Sequence, residues 1–190
     1  MKKIILLILI MGIVSCKGSK KTTPNVDLFV VENLAAMNSD DIKNNYTNAD
    51  IIEDTGMFEE GTEERAYTTL YSNTPDEIQI TWEDPQKTKI HDIRFTKEGR
   101  WKSHTGIKIG TTYEELNRLN NKQISFYGFG WDYSGAVMWN DGKLEDSNIF
   151  VFLSPNSQTQ NNFYGDHIVE ATPEEIAQLN LKVSTILYKL

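Results

Sequence analysis

The sequence predicts an α+β fold in which short helices accompany an antiparallel sheet. Apolar and polar residues alternate over 77–83, so that Ile78, Ile80 and Trp82 share one face, as in a half-buried strand. The turn cluster 84–87 follows at once, and turns of this length join antiparallel strands because a parallel crossover needs a dozen or more residues. Helix-capping signals lie between the groups of strands, which completes the α+β pattern.

The predicted elements begin with a short helix over 39–48. Ser39 is a candidate N-cap, and the two aspartates after it favour the positive end of the helix dipole. The charged stretch 53–64, which has Gly56 and Gly61 inside it, predicts a mobile loop.

Three strands are predicted after this loop, over 65–71, 77–83 and 89–96. In the third strand apolar residues stand at Ile90 and Ile93, and the skip between them breaks strict alternation. Such a skip indicates a β-bulge, in which one extra residue interrupts the ladder.

The pattern of one helix and three strands then restarts. A helix is predicted over 110–121, because Thr111 and Thr112 can each form a capping box with the glutamate three residues later. Asn120-Asn121 tolerates the left-handed conformation that ends helices. Strands are predicted to follow over 123–129, 136–140 and 148–153.

Turn and cap signals organise the remaining segments. The tripeptide Asn140-Asp141-Gly142 predicts a tight hairpin, and 156–162 predicts a polar loop. Thr172, followed by a proline and then by two glutamates, predicts the start of a last helix. A final strand is predicted over 183–190. The candidate halves 27–105 and 106–190 thus each contain a helix and a meander, which leaves open a duplication within one globular region, 27–190.

The segment before this region has the features of a secretory signal peptide. Met1-Lys2-Lys3 is basic, and the apolar run from Ile4 to Val14 is shorter than the ~20 residues of a membrane-spanning helix. The sequence Ile13-Val14-Ser15-Cys16 resembles the lipobox of bacterial lipoproteins. The resemblance implies that residues 1–15 are a cleaved signal peptide and that Cys16, the only cysteine, is lipidated.

Residues 16–26 are expected to be the lipidated cysteine and a flexible tether, because they are polar and basic and lack large apolar residues up to Asn25. The lipoprotein resemblance implies three acyl chains. Several chains anchor a protein firmly in a bilayer, whereas one chain anchors it only marginally. Lys17 stands where an aspartate retains enterobacterial lipoproteins at the inner membrane, so the resemblance implies the outer membrane. The tether has no acidic residue, which favours the periplasmic side of the bacterial cell envelope.

Charge and cysteine content exclude several classes of function. The chain has 19 basic and 27 acidic residues, a net charge of −8, and cleavage of residues 1–15 would remove only two lysines from this balance. Nucleic-acid binding is therefore not expected, since a basic patch supplies most of its affinity. With Cys16 lipidated no thiol is left for a disulfide, a thiolate metal site or a cysteine nucleophile.

A second resemblance concerns the helix over 110–121. The sequence Ile109-Gly110-Thr111-Thr112-Tyr113-Glu114-Glu115-Leu116, leading to a strand, resembles the helix opening of the small barrel-assembly lipoproteins and of the β-lactamase inhibitor protein. The segment 106–140, with Gly128-Phe129-Gly130-Trp131-Asp132-Tyr133-Ser134-Gly135, is similar to uncharacterised lipoproteins of flavobacteria. The inhibitor family uses disulfides, which this chain lacks. The resemblance implies an interaction module and not an enzyme.

Candidate binding residues crowd one predicted hairpin, where aromatic rings suit sugar or peptide binding because they give contact area at low entropy cost. The candidates are Tyr127, Phe129, Trp131, Asp132, Tyr133 and Trp139. The alternative is that Phe126 and one tryptophan belong to the core, and that the interleaved glycines allow bulges or close strand packing. Asp132 either orients a ligand hydroxyl or occupies a turn position.

No metal or cofactor is predicted. His91, His104 and His167 lack the spacing of a zinc site, and the acids of 59–64 and 141–146 lack the EF-hand pattern. The sequence contains neither a nucleophile elbow nor a phosphate-binding loop. Glycan cleavage by a pair of carboxylates remains an open alternative.

The function predicted from these features is a membrane-anchored lipoprotein that acts as a non-enzymatic binding module in the cell envelope. Its expected partners are the lipid bilayer, through the acyl chains, and an envelope protein or glycan. A carboxylate-dependent glycan hydrolase that uses Asp132 near Trp131, or a protein inhibitor, is the alternative.

Lipidation of Cys16 can be tested directly. We expect labelled fatty acid to appear on the wild-type chain, and Cys16→Ser to lose both the label and membrane association, because no other residue offers a thiol. Metabolic labelling and membrane fractionation measure the two effects. An unlabelled wild type, together with a Cys16→Ser variant that still fractionates with membranes, would contradict the lipoprotein interpretation.

Overall fold

Six strands form one antiparallel sheet in the computed structural model, which describes residues 26–156 and 161–190. The strands are β1 (Ile51–Phe58), β2 (Glu63–Leu70), β3 (Ile78–Trp82), β4 (Ile90–Phe95), β7 (Ile149–Ser154) and β8 (Lys182–Lys189). Their order in the sheet is β1-β2-β3-β4-β8-β7, and every adjacent pair is antiparallel. A second sheet pairs β5 (Ser125–Phe126) with β6 (Val137–Met138).

Short helices accompany these sheets, so the predicted α+β class is confirmed. They are α1 (Val31–Ala35), α2 (Ser39–Asn45), α3 (Tyr113–Asn120) and α4 (Pro173–Leu179), with 3₁₀ turns at Glu59–Gly61 and Asn161–Phe163. None of the helices in the described ranges has the length and apolar character needed to cross a bilayer.

The core lies on the face of the sheet that the alternation of β3 predicted. Ile78, Ile80 and Trp82 are all buried, and Val31 and Leu34 of α1 join the same apolar cluster. The one polar atom of Trp82 is satisfied within the core, because its Nε1 donates a hydrogen bond of 2.8 Å to Thr68 Oγ1.

The β-bulge predicted in β4 is present. Thr81 lies opposite Asp92, whereas the next residue, Trp82, lies opposite Ile90. His91 is therefore the extra residue, and its side chain is turned out of the regular alternation. Ile90 and Ile93 both remain on the buried side.

The prediction of a mobile loop over 53–64 was wrong. Ile51–Phe58 is a strand that pairs with β2 along its whole length, and only 59–62 turn the chain. β1 is an edge strand and mostly exposed, so it lacks the apolar alternation that marks a half-buried strand. Gly56 fits beneath an aromatic ring, since a Cβ there would lie 3.3 Å from Tyr67 Cε1.

The helix starts differ from prediction in detail. The N-cap of α2 is Asn38 and not Ser39, because Asn38 Oδ1 accepts the 2.9 Å hydrogen bond from Asp41 N. Thr112 caps α3, and the left-handed residue Asn121 ends it, as predicted. The capping box at Thr172 is confirmed. The five-residue helix α1 was not predicted.

Two strands of the second half are shorter than predicted, whereas β7 and β8 have the predicted lengths. The segments 123–129 and 136–140 contribute only two paired residues each, as β5 and β6. Asn140 and Asp141 take the left-handed conformation of a tight turn, but this turn does not join paired strands, since β6 pairs back to β5. Of the predicted loop 156–162, residues 157–160 lie outside the described residues.

The two candidate halves meet in one sheet, because β8 pairs with β4 on one side and with β7 on the other. In the first half consecutive strands pair, whereas β5 and β6 leave the main sheet. The division at 105/106 stays a prediction. The signal peptide 1–15, Cys16 and the tether up to residue 25 lie outside the described residues.

Burial of β3 gives a stability prediction. Ile80→Ala removes a fully buried side chain from a central strand and should lower the free energy of unfolding by about 2–5 kcal/mol. Gln79→Ala, on the opposite face of the same strand, should cost under about 1 kcal/mol. Urea unfolding measures both, and equal losses would contradict this assignment of the core face.

Candidate functional site

The candidate aromatic residues divide into a buried and an exposed group. Phe129 and Trp139 are 4% and 7% exposed and belong to the core. Trp131 and Tyr133 are 63% and 59% exposed, and Tyr127 is half-buried. The structure thus places the two groups at different depths, so the candidates do not form a single aromatic face.

The loop between β5 and β6 carries the exposed group in a defined conformation. The backbone N–H of Ser134 donates to the carbonyl of Trp131 at 3.0 Å, and that of Ala136 donates to Tyr133 at 2.8 Å. Ser134 Oγ accepts the N–H of Gly130 at 3.0 Å. Because successive turns tie the loop to itself, Trp131 and Tyr133 are exposed on an ordered support.

A second segment, 163–169, lies against this loop, and sequence reasoning missed it. Phe129 N donates to the carbonyl of Phe163, and Gly128 N donates to that of His167, both at 2.8 Å. A Cβ at Gly128 would lie 2.5 Å from the carbonyl oxygen of Gly165, so glycine is needed for this approach. The glycines of the aromatic segment were the available signal, because they indicate close packing of backbones.

This second segment enlarges the exposed apolar area. Tyr164 and Ile168 are 41% and 42% exposed. The rings of Tyr127 and Tyr133 lie 5.3 Å apart between centroids, and Tyr127 forms a bridge with Ile168. We define the aromatic surface by its five members, Tyr127, Trp131, Tyr133, Tyr164 and Ile168. Clusters of exposed apolar side chains of this kind mark binding sites more often than single exposed residues do.

The side chain of Asn120 anchors the end of the β5–β6 hairpin, whose loop carries Trp131 and Tyr133. It is fully buried at the end of α3, and its Nδ2 donates to the carbonyl of Trp139 at 2.7 Å. Its Oδ1 accepts the N–H of Leu144 at 3.0 Å, which holds the turn that follows β6. Trp139 Nε1 in turn donates to the carbonyl of Ile149 at 3.3 Å. The β5–β6 hairpin is therefore fastened both to α3 and to β7.

The polar candidates are dispersed. Asp132 is exposed, and within 26–156 and 161–190 its side chain makes neither a hydrogen bond nor an ion pair. His91 lies beside Glu83, His104 lies beside Glu32, and His167 is in the segment 163–169. Among the described residues no three histidine or carboxylate side chains are placed to hold a metal ion.

One acidic residue of the β1–β2 hairpin, Glu53, forms ion pairs with two lysines. Glu53 lies 3.0 Å from Lys43 Nζ and 3.1 Å from Lys87 Nζ. Burial raises the pKa of its carboxyl, but the hydrogen bonds from the two lysines outweigh this effect, and the pKa is lowered from its ordinary value. This carboxylate is part of the packing of α2 on the sheet.

Comparison with known proteins identifies no family for this chain. No protein-family model matches the chain, and no curated protein matches it either. Among solved structures, the crystal structure of the uncharacterized protein yfeY from Escherichia coli is similar, with a TM-score of 0.43 and 12% sequence identity over 75% of this chain and 80% of that chain.

The support for the aromatic surface can be tested at Asn120. Asn120→Ala leaves the buried Leu144 N–H without its acceptor and removes one of the two donors to the Trp139 carbonyl, and should lower the free energy of unfolding by roughly 1–3 kcal/mol. Lys122→Ala, an exposed change two residues away, should alter it by under about 0.5 kcal/mol. Urea unfolding compares the two, and equal stability of both variants would contradict the supporting role of Asn120.

Proposed function

We propose that this protein is a lipid-anchored lipoprotein of the bacterial cell envelope that binds an envelope protein or glycan through the aromatic surface, without catalysis. The observation that carries the proposal is the exposure of Trp131 and Tyr133 on a loop whose turns are closed by hydrogen bonds.

The ordered loop favours binding for a thermodynamic reason. Association costs free energy for every side chain or loop that becomes ordered on contact. Here the backbone around Trp131 is already fixed by its bonds to Ser134 and by the neighbouring segment 163–169. Large rings on a fixed support lose little entropy on binding and give a large contact area.

The anchor is supported by the sequence alone. The signal-peptide pattern of 1–15, the lipobox cysteine Cys16 and the polar tether favour a domain held at the outer membrane on its periplasmic side. The negative net charge argues against nucleic acid and against adhesion to anionic lipid as the role of the domain.

The position of Asp132 supports glycan hydrolysis as a second candidate function. Its exposed carboxylate is flanked by Trp131 and Tyr133, as in a site where rings hold a sugar beside an acid. A binder in which Asp132 is replaced by asparagine should lose only part of its affinity. A hydrolase should lose most of its turnover, since a catalytic carboxylate would be gone.

The binding proposal predicts a partner that depends on Trp131. Crosslinking in intact cells, followed by purification from membranes and mass spectrometry, should recover one partner in near-equal amount. Trp131→Ala should remove it while leaving the unfolding transition unchanged, because this ring is 63% exposed. Met57→Ala, which removes an exposed apolar side chain from β1, is the matched control and should retain the partner.

Two outcomes would count against this proposal. A partner retained by Trp131→Ala would place binding elsewhere on the molecule. Recovery of the chain alone would exclude a stable protein partner, and a glycan array, read with wild type and Trp131→Ala, would then decide whether the aromatic surface binds a sugar.

A further inference from the structure

The aromatic surface lies in an acidic part of the chain. Lys143 is the only lysine or arginine in 123–181. The two segments that form the surface carry or adjoin three exposed carboxylates, which are Asp132, Asp166 and Glu170. Gly165 N donates to the carbonyl of Phe129 at 3.1 Å, and this bond holds Asp166 beside the β5–β6 loop. The exposed rings therefore stand among negative charges.

These three carboxylates are open to solvent but form no ion pair within 26–156 and 161–190. Beyond residue 105, the ion pairs of the described residues join Arg118 to Glu115 and Lys122 to Asp141. Neither pair includes a carboxylate of the aromatic surface. Neighbouring charges of one sign create a potential that attracts cations and repels anions. The surface is therefore suited to a cationic partner.

The other half of the chain holds an arginine between aromatic rings and a carboxylate. Arg100 Cζ lies 3.7 Å from the centroid of the Phe29 ring and 5.5 Å from that of Tyr71. Asp76 Oδ2 accepts from Arg100 Nε at 2.8 Å and from its Nη2 at 2.7 Å. The rings attract the flat face of the guanidinium, and the carboxylate accepts from its edge. The aromatic surface has the same two components, exposed rings and carboxylates, whereas 123–181 contains no arginine to join them.

Charge and aromatic rings together select the class of partner. An anionic glycan or lipid would be repelled by the carboxylates. A neutral sugar can stack on the rings, but it leaves the negative charges uncompensated. Arginine uses both components, because its planar guanidinium stacks on rings and donates to a carboxylate through two N–H groups at once. Lysine is a more strongly hydrated point charge and lacks this flat face.

Given that the aromatic surface is the binding surface proposed above, we infer that its partner is a protein segment that presents arginine side chains. A guanidinium of this segment stacks on the exposed rings, of which Trp131 is the largest, and donates to a neighbouring carboxylate. The remaining carboxylates attract the segment at longer range. This inference rests on the proposed function and narrows its partner from an envelope protein or glycan to a basic protein segment.

The partner class can be tested by calorimetry with the full chain, purified in detergent, and a blocked peptide in which arginine and serine alternate. A second peptide has citrulline in place of each arginine, which keeps the shape of the side chain and removes its charge. The arginine peptide should bind saturably, and the citrulline peptide should bind about tenfold more weakly. Raising the salt concentration from about 0.05 M to about 0.5 M should weaken binding of the arginine peptide severalfold.

Variants separate the contribution of the rings from that of the carboxylates. Trp131→Ala should weaken binding of the arginine peptide about fivefold, because it removes the largest exposed ring. The double variant Asp132→Asn, Asp166→Asn should weaken it about threefold to tenfold and reduce its salt dependence. The matched control is Asp40→Asn with Glu114→Gln, which removes two exposed charges from α2 and α3 and should bind as the wild type does.

The same variants, read against the partner crosslinked in cells, distinguish a failure of this inference from a failure of the proposed function. A partner that Trp131→Ala loses but Asp132→Asn, Asp166→Asn retains in full would uphold the aromatic surface and overturn the arginine segment. A neutral glycan that binds through Trp131, with no binding of the arginine peptide, would do the same. A partner that Trp131→Ala retains would overturn both.

Two results with the peptides alone would also overturn the inference. Equal binding of the arginine and citrulline peptides would show that the guanidinium charge is not recognised. An equal loss of affinity in the Asp40→Asn, Glu114→Gln control would reduce the interaction to attraction by the overall charge of the chain.

Discussion

The rest of the structure depends on the pairing of β8 with both β4 and β7. The β1–β4 meander and the segment that carries the aromatic surface share few other backbone contacts, and β8 brings them into one sheet. Ile186 is fully buried at the centre of this junction, opposite Phe95 and Val151. Because β7 is held in place by β8, the loop fastened to β7 through Gly135 and Leu153 also takes its position from β8.

The aromatic surface is exposed because the polar groups around it are already satisfied. Phe129 and Trp139 fill the core beneath the loop, and Asn120 accepts the Leu144 N–H, which the turn after β6 would otherwise leave buried without an acceptor.

Local patterns predicted much of this fold, and long-range pairing accounts for what they missed. The buried face of β3, the bulge at His91 and the cap at Thr172 each depend on neighbours within a few residues, and each was predictable. The edge strand β1 was not, because its stability comes from a partner strand and not from an apolar face of its own. For the same reason the exposed rings Trp131 and Tyr133 were among the candidates, whereas their neighbours in 163–169 were missed.

The position of β8 in the sequence affects how the chain can be made and moved. β4 ends at Phe95, yet its outer neighbour is not synthesised until residues 182–189 have been added. Until then the β4 edge of the β1–β4 meander is unpaired, and β7 lacks its main partner strand. A nascent chain of this topology stays without its complete sheet throughout elongation, since contacts of such long sequence separation form late. Addition of residues 182–189 is therefore the event that allows the six-stranded sheet to close.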